Sequence, residues 1–251
     1  MTVARWSGPA LVVAGVGILI ILILRDPADR GVIAGWIVSD AAAPARLLPL
    51  IGLAAASALV PASFALAGLA VFSAGVLLGS LELALLLATL GALPGAESHL
   101  FFTFPISSVA AGLVLLAPSA IRQWLLPLAA LIAGAVLAVA TKITDPTLHD
   151  PAIFVTGVVV AVWTLVAVGL TVRGFRRPWF SIPARILGSW LVAIGVLFGG
   201  AALLARPPLP ELPPAQPTEA LPVPPPEDAF PDLAPPRRDP LDLGADGLRE
   251  P

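Results

Sequence analysis

The sequence predicts an all-α fold: a polytopic transmembrane helical bundle of about eight spans, followed by a disordered, proline-rich C-terminal tail. Three observations lead to this prediction. Of the 251 residues, 58% are hydrophobic and only 12% are charged, whereas a soluble domain carries about 25% charged residues. The apolar residues form runs long enough to cross a hydrocarbon core about 30 Å thick. More than half of the proline lies in one C-terminal segment.

The charges divide the chain into two segments at Arg206. Residues 1–205 hold 10 basic and 7 acidic residues, whereas residues 206–251 hold 4 basic and 9 acidic residues together with 15 of the 28 prolines. Proline fixes φ and removes a backbone donor, so the second segment cannot build a packed core. We therefore expect a transmembrane domain over residues 1–205 and a disordered acidic tail over residues 206–251. The tail is either a solvated spacer or a docking strip for a protein partner.

Charges and prolines mark the ends of the candidate spans. The run Leu47–Ala96 contains one charge, Glu82, and is long enough for two ordinary spans or for three short ones that break near Pro61 and Gly79. The patch Gly31–Val38 is too short to span and is predicted to be an interfacial helix. Five other runs are well bounded: Pro9–Leu24, Leu100–Ala117, Gln123–Thr141, Ala152–Val172 and Ile186–Ala205.

The loop from Arg173 to Arg185 sets the orientation, because basic residues concentrate in short cytoplasmic loops. Three spans in the long run place eight arginines inside and three basic residues outside, whereas two spans place six inside and five outside. Eight spans with both termini outside are therefore favoured, and seven spans are the alternative. The abundance of Ala, Gly, Pro and Arg suggests a GC-rich bacterial genome. We expect a multi-pass protein of the bacterial inner membrane, with the tail periplasmic or extracellular.

Small residues and prolines in the apolar runs suggest how the helices associate. Lipid is as apolar as leucine, so membrane helices associate through close packing and polar contacts. The small-residue faces Gly75–Gly79 and Gly195–Gly199 are expected to pack within the bundle, and a homo-oligomer is left open. Four prolines, at positions 49, 61, 105 and 127, lie within or at the ends of apolar runs and predict kinks or breaks. Broken helices are one feature of transporters, and they are also common in proteins that transport nothing.

Two loops carry residues that suit a metal ion. Glu97 and His99 lie in the first loop, and Asp145, His149 and Asp150 lie in the second, on the same outer face of the favoured topology. Imidazole and carboxylate ligands suit Ni²⁺, Co²⁺, Zn²⁺ or Cu²⁺, and the lack of cysteine excludes thiolate sites. These five residues are candidate ligands for a divalent transition metal as substrate, and no resident cofactor is expected. The alternative is that they are ordinary polar loop residues.

Glu82 is the one carboxylate inside a long apolar run. An ionisable residue in hydrocarbon is costly and is a functional candidate by default. Glu82 is therefore a candidate proton or cation relay. The alternative is an interfacial residue, because it lies close to the break expected near Gly79.

Motifs of soluble enzymes are absent from the sequence. There is no Walker loop, no Gly-x-Ser-x-Gly and no His-Glu-x-x-His, so an enzyme is not expected. The apolar body and the acidic tail argue against nucleic acid as a partner. The leading hypothesis is a small permease for a cation or small solute, with nickel or cobalt as candidates. The alternative is a non-transporting scaffold or accessory subunit whose tail binds a partner.

The closing helix carries a resemblance to a known family. Its sequence from Arg185 to Gly195, RILGSWLVAIG, resembles the closing helix of HupE/UreJ-type hydrogenase/urease accessory membrane proteins. The resemblance implies a small multi-helix permease that handles nickel or cobalt for metalloenzyme maturation. It covers this helix alone and carries over no metal-site residue, because the His-Pro motif of the family has no counterpart in the chain.

Overall fold

The computed structural model describes residues 3–82, 85, 88, 100–147, 150–175 and 177–204. All regular secondary structure within these ranges is helical, as predicted. The predicted tail, residues 206–251, lies outside them. The α-helices in the described part are α1 (Val3–Leu24), α2 (Val32–Trp36, continued by a π-helical turn over Ile37–Ala41), α3 (Pro44–Ala58), α4 (Ala62–Leu81), α5 (Leu100–Leu116), α6 (Ser119–Ile143), α7 (Pro151–Phe175) and α8 (Ser181–Leu204).

Several of these helices are long and apolar enough to cross a membrane. Segment α2 with its π-helical turn and helix α3 form a further candidate span, bent by 66° at the break between them, and α5 is a shorter apolar helix. This set of helices fits an integral membrane protein, in agreement with the predicted class. The five helices that qualify by length and composition alone span Arg5–Leu24, Ala62–Leu81, Ser119–Ile143, Pro151–Phe175 and Ser181–Ala201.

Prolines set several helix starts. Pro44 and Pro151 are the first residues of α3 and α7, and Pro61 and Pro118 immediately precede α4 and α6. Proline suits the first turn because its missing N–H would have no helical acceptor there. The break predicted near Pro61 is confirmed, and α4 ends at Leu81, two residues beyond the second predicted break.

Helices α4 and α6 form an extensive contact, and they run parallel. Helix α5 is antiparallel to α6, so α4 ends and α5 begins at the same end of the bundle. Central helix α3 packs on α5, α6 and α7. Helix α1 lies antiparallel on α7, and α8 lies antiparallel on α5. The parallel course of α4 and α6 follows from contacts that advance together along both helices: Gly68 lies beside Leu126, Gly75 beside Leu131 and Gly79 beside Ala135.

Glycines let the α4 and α6 backbones touch. A Cβ atom on Gly134 of α6 would overlap the carbonyl oxygen of Phe72, and one on Gly75 of α4 would overlap the carbonyl oxygen of Leu131. The packing predicted for the first small-residue face is therefore confirmed.

The second small-residue face also packs within the bundle. Gly195 and Gly199 both lie against Pro105 of α5, where a Cβ on Gly195 would stand 3.0 Å from the Pro105 carbonyl oxygen. Helices α8 and α5 are thus in close contact at Pro105 of α5.

The two ends of the bundle differ in charge. The end at which α1 begins, here called the arginine end, holds five arginines and no carboxylate among the described residues. The opposite end, here called the acidic end, holds six carboxylates and four basic residues in the described part. The charged residues of the arginine end are Arg5, Arg122, Arg173, Arg177 and Arg185; those of the acidic end are Arg25, Asp26, Asp29, Arg30, Asp40, Arg46, Glu82, Lys142, Asp145 and Asp150.

Candidate functional site

The predicted metal ligands fall only partly within the described residues. Glu97, His99 and His149 lie outside them. The carboxylate of Asp145 accepts hydrogen bonds from the backbone N–H and the hydroxyl of Thr147, at 2.8 and 2.6 Å. Asp150 accepts from the backbone N–H of Ala152 at 2.8 Å and so caps the start of α7.

Both described carboxylates are thus used to fix the α6–α7 loop. Within the described ranges, no three His, Cys, Asp or Glu residues form a group that could hold a metal ion. The metal site therefore stays a prediction, and it depends on the two histidines.

Glu82 lies at the acidic end, as the residue that ends α4. Its side chain is exposed. Two residues before it, the carbonyl oxygen of Ser80 accepts a hydrogen bond from Lys142 Nζ at 2.6 Å, which ties the end of α4 to the end of α6. Glu82 thus lies at a helix end, and both its relay role and its interfacial alternative stay predictions.

The acidic end contains a largely buried cation, Arg46, in the first turn of α3. Its Nη1 donates to Thr141 Oγ1 at 3.1 Å, and its Nη2 donates to Thr144 Oγ1 at 2.5 Å and to the Ala140 carbonyl oxygen at 3.1 Å. A carboxylate oxygen of Asp40 lies 3.9 Å away. Arg46 therefore joins the start of α3 to the last turn of α6.

Trp36 of α2 covers this cation. The guanidinium carbon of Arg46 lies 5.3 Å from the Trp36 ring centroid, a cation–π distance, and the indole N–H donates to Thr144 Oγ1 at 3.3 Å. Trp36 is 3% exposed. The segment Gly31–Val38 was predicted to be an interfacial helix; its helix is present, but it inserts its tryptophan into the bundle because Arg46 and Thr144 offer partners there.

A small cavity adjoins Arg46 between α3, α5 and α6. Its volume is about 30 Å³, enough for a water molecule, which needs about 10–15 Å³. The polar side chains that line it are Arg46, Thr103 and Ser107, and Ser107 donates to the Thr103 carbonyl oxygen at 2.7 Å. The other lining residues are Ala45, Pro49, Leu50, Phe104, Ala133, Val136, Leu137 and Ala140.

Two prolines interrupt the helical hydrogen bonds at this cavity. Pro49 lines it directly, and Pro105 lies in α5 beside the lining residue Phe104. Each is the sixth residue of a helix that begins at the acidic end. Lacking an N–H, these prolines cannot donate to the carbonyls of Ala45 and Phe101. The cavity thus lies between two continuous helices that each lack one backbone hydrogen bond in the second turn from the acidic end.

The sequence offered little indication of this site. Arg46 was counted only as a basic residue for topology, and its partners Thr141 and Thr144 lie almost a hundred positions away. The prolines were the one usable signal, but Pro49 and Pro105 were expected to kink or break helices together with Pro61 and Pro127, so the pair at the cavity was not singled out.

Comparison with known proteins identifies no relative. No protein-family model matches the chain, and neither a curated protein nor a solved structure matches it. The resemblance of α8 to the HupE/UreJ-type proteins therefore stays a prediction.

Proposed function

We propose that the chain is a seven-span protein of the bacterial inner membrane that acts as a permease for a small anionic or neutral polar solute. The observation that carries the proposal is the cavity beside Arg46, which lies between the proline-containing helices α3 and α5. Each part of the proposal has its own support, beginning with the number of spans.

Seven alternating helices support the seven-span alternative. The seven helices that alternate in direction are α1, α3, α4, α5, α6, α7 and α8. Helix α4 ends at the acidic end, where α5 begins, so the count needs no further crossing of the membrane between these two helices. Helix α1 then begins at the arginine end and α8 finishes at the acidic end. Eight spans, as the sequence favoured, would require α4 to end at one end of the bundle and α5 to begin at the other.

Charge supports the orientation. The arginine end carries no described carboxylate, and short loops rich in arginine stay in the cytoplasm. Trp6, Trp124 and Trp179 are exposed near this end, and tryptophan concentrates at membrane interfaces. We therefore place the N-terminus in the cytoplasm and the tail, residues 206–251, outside.

Labelling of single cysteines tests the number of spans, because the natural chain has no cysteine. Ala28→Cys should react with a membrane-impermeant maleimide in intact spheroplasts, since seven spans place residues 25–46 outside. Thr147→Cys, outside on either count, is the positive control, and Ser181→Cys, inside on either count, is the negative control. Protection of Ala28→Cys until the membrane is permeabilised would establish eight spans instead.

The chemistry of the cavity supports the class of solute. Its one charged side chain is that of Arg46, and its other polar side chains are the hydroxyls of Thr103 and Ser107. Asp40 lies 3.9 Å from Arg46 but does not line the cavity. A cation inside the cavity would therefore meet the guanidinium group first, whereas an anion or a neutral polar molecule would find N–H donors there. This observation favours an anionic or neutral solute over the metal cation expected from the histidines.

Paired prolines in α3 and α5 support transport. In transporters, substrates bind where helices are interrupted near the middle of the membrane and the freed backbone groups line a cavity. Pro49 and Pro105 each leave one carbonyl of α3 and α5 without its helical donor, at matching positions in the second turn from the acidic end. The scaffold alternative rests on residues 206–251 and remains a second hypothesis.

Flux through proteoliposomes tests the permease. Wild-type protein should carry at least one of chloride, acetate and inorganic phosphate, and Arg46→Gln should lower that flux at least tenfold, because the solute then loses its charged partner. Arg46→Lys, which retains the charge, should keep part of the flux. Ser107→Ala should lower the flux, while its neighbour Ser108→Ala, buried but not lining the cavity, is the matched control.

The other outcomes are equally informative. Flux of Ni²⁺ or Co²⁺ without any anion would reinstate the metal hypothesis. Loss of flux in Ser108→Ala as large as in Ser107→Ala would remove the cavity from the pathway. No flux of any of these ions by folded protein would leave the scaffold as the better hypothesis.

A further inference from the structure

A larger cavity opens on the side of the bundle near the arginine end. Its volume is about 270 Å³, and it lies between α3, α4, α6 and α7. We call it the apolar cleft; among its lining residues are Leu53, Ala65, Leu69, Leu126, Leu165 and Gly169. Leu66, which also lines it, is 68% exposed, so the cleft is open to the surroundings of the bundle.

Short side chains make the cleft. Ala62, Ala65 and Gly68 of α4 face Gly169 of α7, and these small residues leave the space unfilled. A Cβ atom on Gly169 would meet only the hydroxyl of Ser57, at 3.3 Å, and the Ala54 carbonyl oxygen, at 3.6 Å. A water molecule occupies about 30 Å³ in the liquid, and apolar cavities do not hold water well. A hydrocarbon chain suits this space better than water does.

One cation lines the cleft. Arg173 is half-buried, and its Nη2 donates to the carbonyl oxygen of Val60 in the turn between α3 and α4. The hydrogen bond fixes the guanidinium group, which has five N–H donors in all. Among the described residues Arg173 forms no ion pair, and the arginine end has no carboxylate to offer. An oriented positive charge is therefore uncompensated beside an apolar cavity.

We propose that the apolar cleft binds an acyl chain of an anionic phospholipid and that Arg173 holds the phosphate of the same molecule. The apolar lining matches hydrocarbon, and the uncompensated charge matches the headgroup. Cationic residues near the membrane surface attract anionic lipid by about 1 kcal/mol each. A second copy of the chain is a poorer occupant, because an apolar helix face over Arg173 would leave the charge buried and unpaired. The site is independent of the proposed permease activity.

Thermal unfolding of the full-length protein in detergent tests the proposal. Phosphatidylglycerol should raise the Tm saturably, because a ligand that binds the folded state stabilises it by mass action. Phosphatidylcholine should raise it less, and inorganic phosphate should leave it unchanged. Arg173→Gln should weaken the apparent affinity for phosphatidylglycerol about fivefold, the equivalent of one such cation, and Arg173→Lys should restore most of it.

Two further variants separate the cleft from general surface charge. Ala65→Leu fills the cleft without altering Arg173 and should abolish most of the Tm shift, measured against the lipid-free Tm of the same variant. Arg177→Gln removes an exposed arginine from the same end outside the cleft and should lower the affinity less than Arg173→Gln does. Equal shifts with both lipids, an unaltered affinity in Arg173→Gln or Ala65→Leu, or equal losses in Arg173→Gln and Arg177→Gln would each overturn the proposal. A lipid-independent dimer would assign the cleft to a second copy instead.

Discussion

Replacing Gly134 by valine should abolish the accumulation of folded protein in the membrane. The α-carbon of Gly134 lies against the Phe72 carbonyl oxygen, so that any Cβ atom would overlap the α4 backbone. Backbone atoms in a helix cannot rotate away as a side chain can. Overpacking costs about 1–3 kcal/mol even where side chains can yield, and a domain has only about 5–15 kcal/mol of stability.

The matched control is Gly17→Val, a substitution of the same type in helix α1. A Cβ at Gly17 has no described atom within 4 Å, so this variant should accumulate and unfold like the wild type. The measurement is the yield of monodisperse protein on size exclusion together with its Tm in detergent. Wild-type yield and Tm for Gly134→Val would contradict the close α4–α6 packing.

Replacing Arg122 by glutamine should lower the free energy of unfolding by about 3 kcal/mol. Arg122 is 6% exposed, and it donates to three carbonyl oxygens at the end of α5: Val114 at 3.2 Å, Leu115 at 3.1 Å and Ala117 at 2.8 Å. The last carbonyls of a helix have no helical donor. Hydrogen bonds to a charged group contribute about 1.5–3 kcal/mol, and a buried acceptor left unpaired costs a further penalty.

Arg185→Gln controls for the loss of a positive charge at the same end. Arg185 is exposed, so its replacement should change stability by less than about 1 kcal/mol, as for most surface positions. Equilibrium unfolding in detergent, followed by helical circular dichroism, measures both variants. Equal effects of the two substitutions would show that Arg122 acts through charge alone and not by capping α5.

The class of protein and most helix bounds could be predicted from the sequence, because apolar length is encoded locally. The run Leu100–Ala117 corresponds to α5, and Ala152–Val172 lies within α7. The number of spans after Leu47 stays a proposal. The count of arginines favours three spans, whereas the directions of α4 and α5, which only their packing partners reveal, favour two.

The packing partners themselves could not be predicted. Helix α4 is apolar on all sides, so its sequence does not indicate which face meets protein and which meets lipid. Gly75 and Gly79 predicted a close helix contact, but the sequence did not indicate that α6 is the partner. Arg46 was missed for the same reason, since the hydroxyl of Thr141 is brought to it by the fold alone.

The roles of two predicted metal ligands could have been recognised from the sequence. Asp150 precedes Pro151 at the start of a helix, and aspartate before a first-turn proline is a helix-capping arrangement. Asp145 precedes Pro146 and Thr147, a turn-forming sequence.

The parallel packing of α4 on α6 has a consequence for biosynthesis. Two helices joined by a short turn can pair as soon as the second leaves the ribosome, but Gly75 meets Leu131 only after more than fifty further residues have been made. At about 5–20 residues per second, α4 waits several seconds in the lipid with its glycine face uncovered. During this interval the nascent chain exposes a surface suited to helix association. If translation pauses after α4 and before α6, the resulting intermediate is the one most open to pairing with a neighbouring chain.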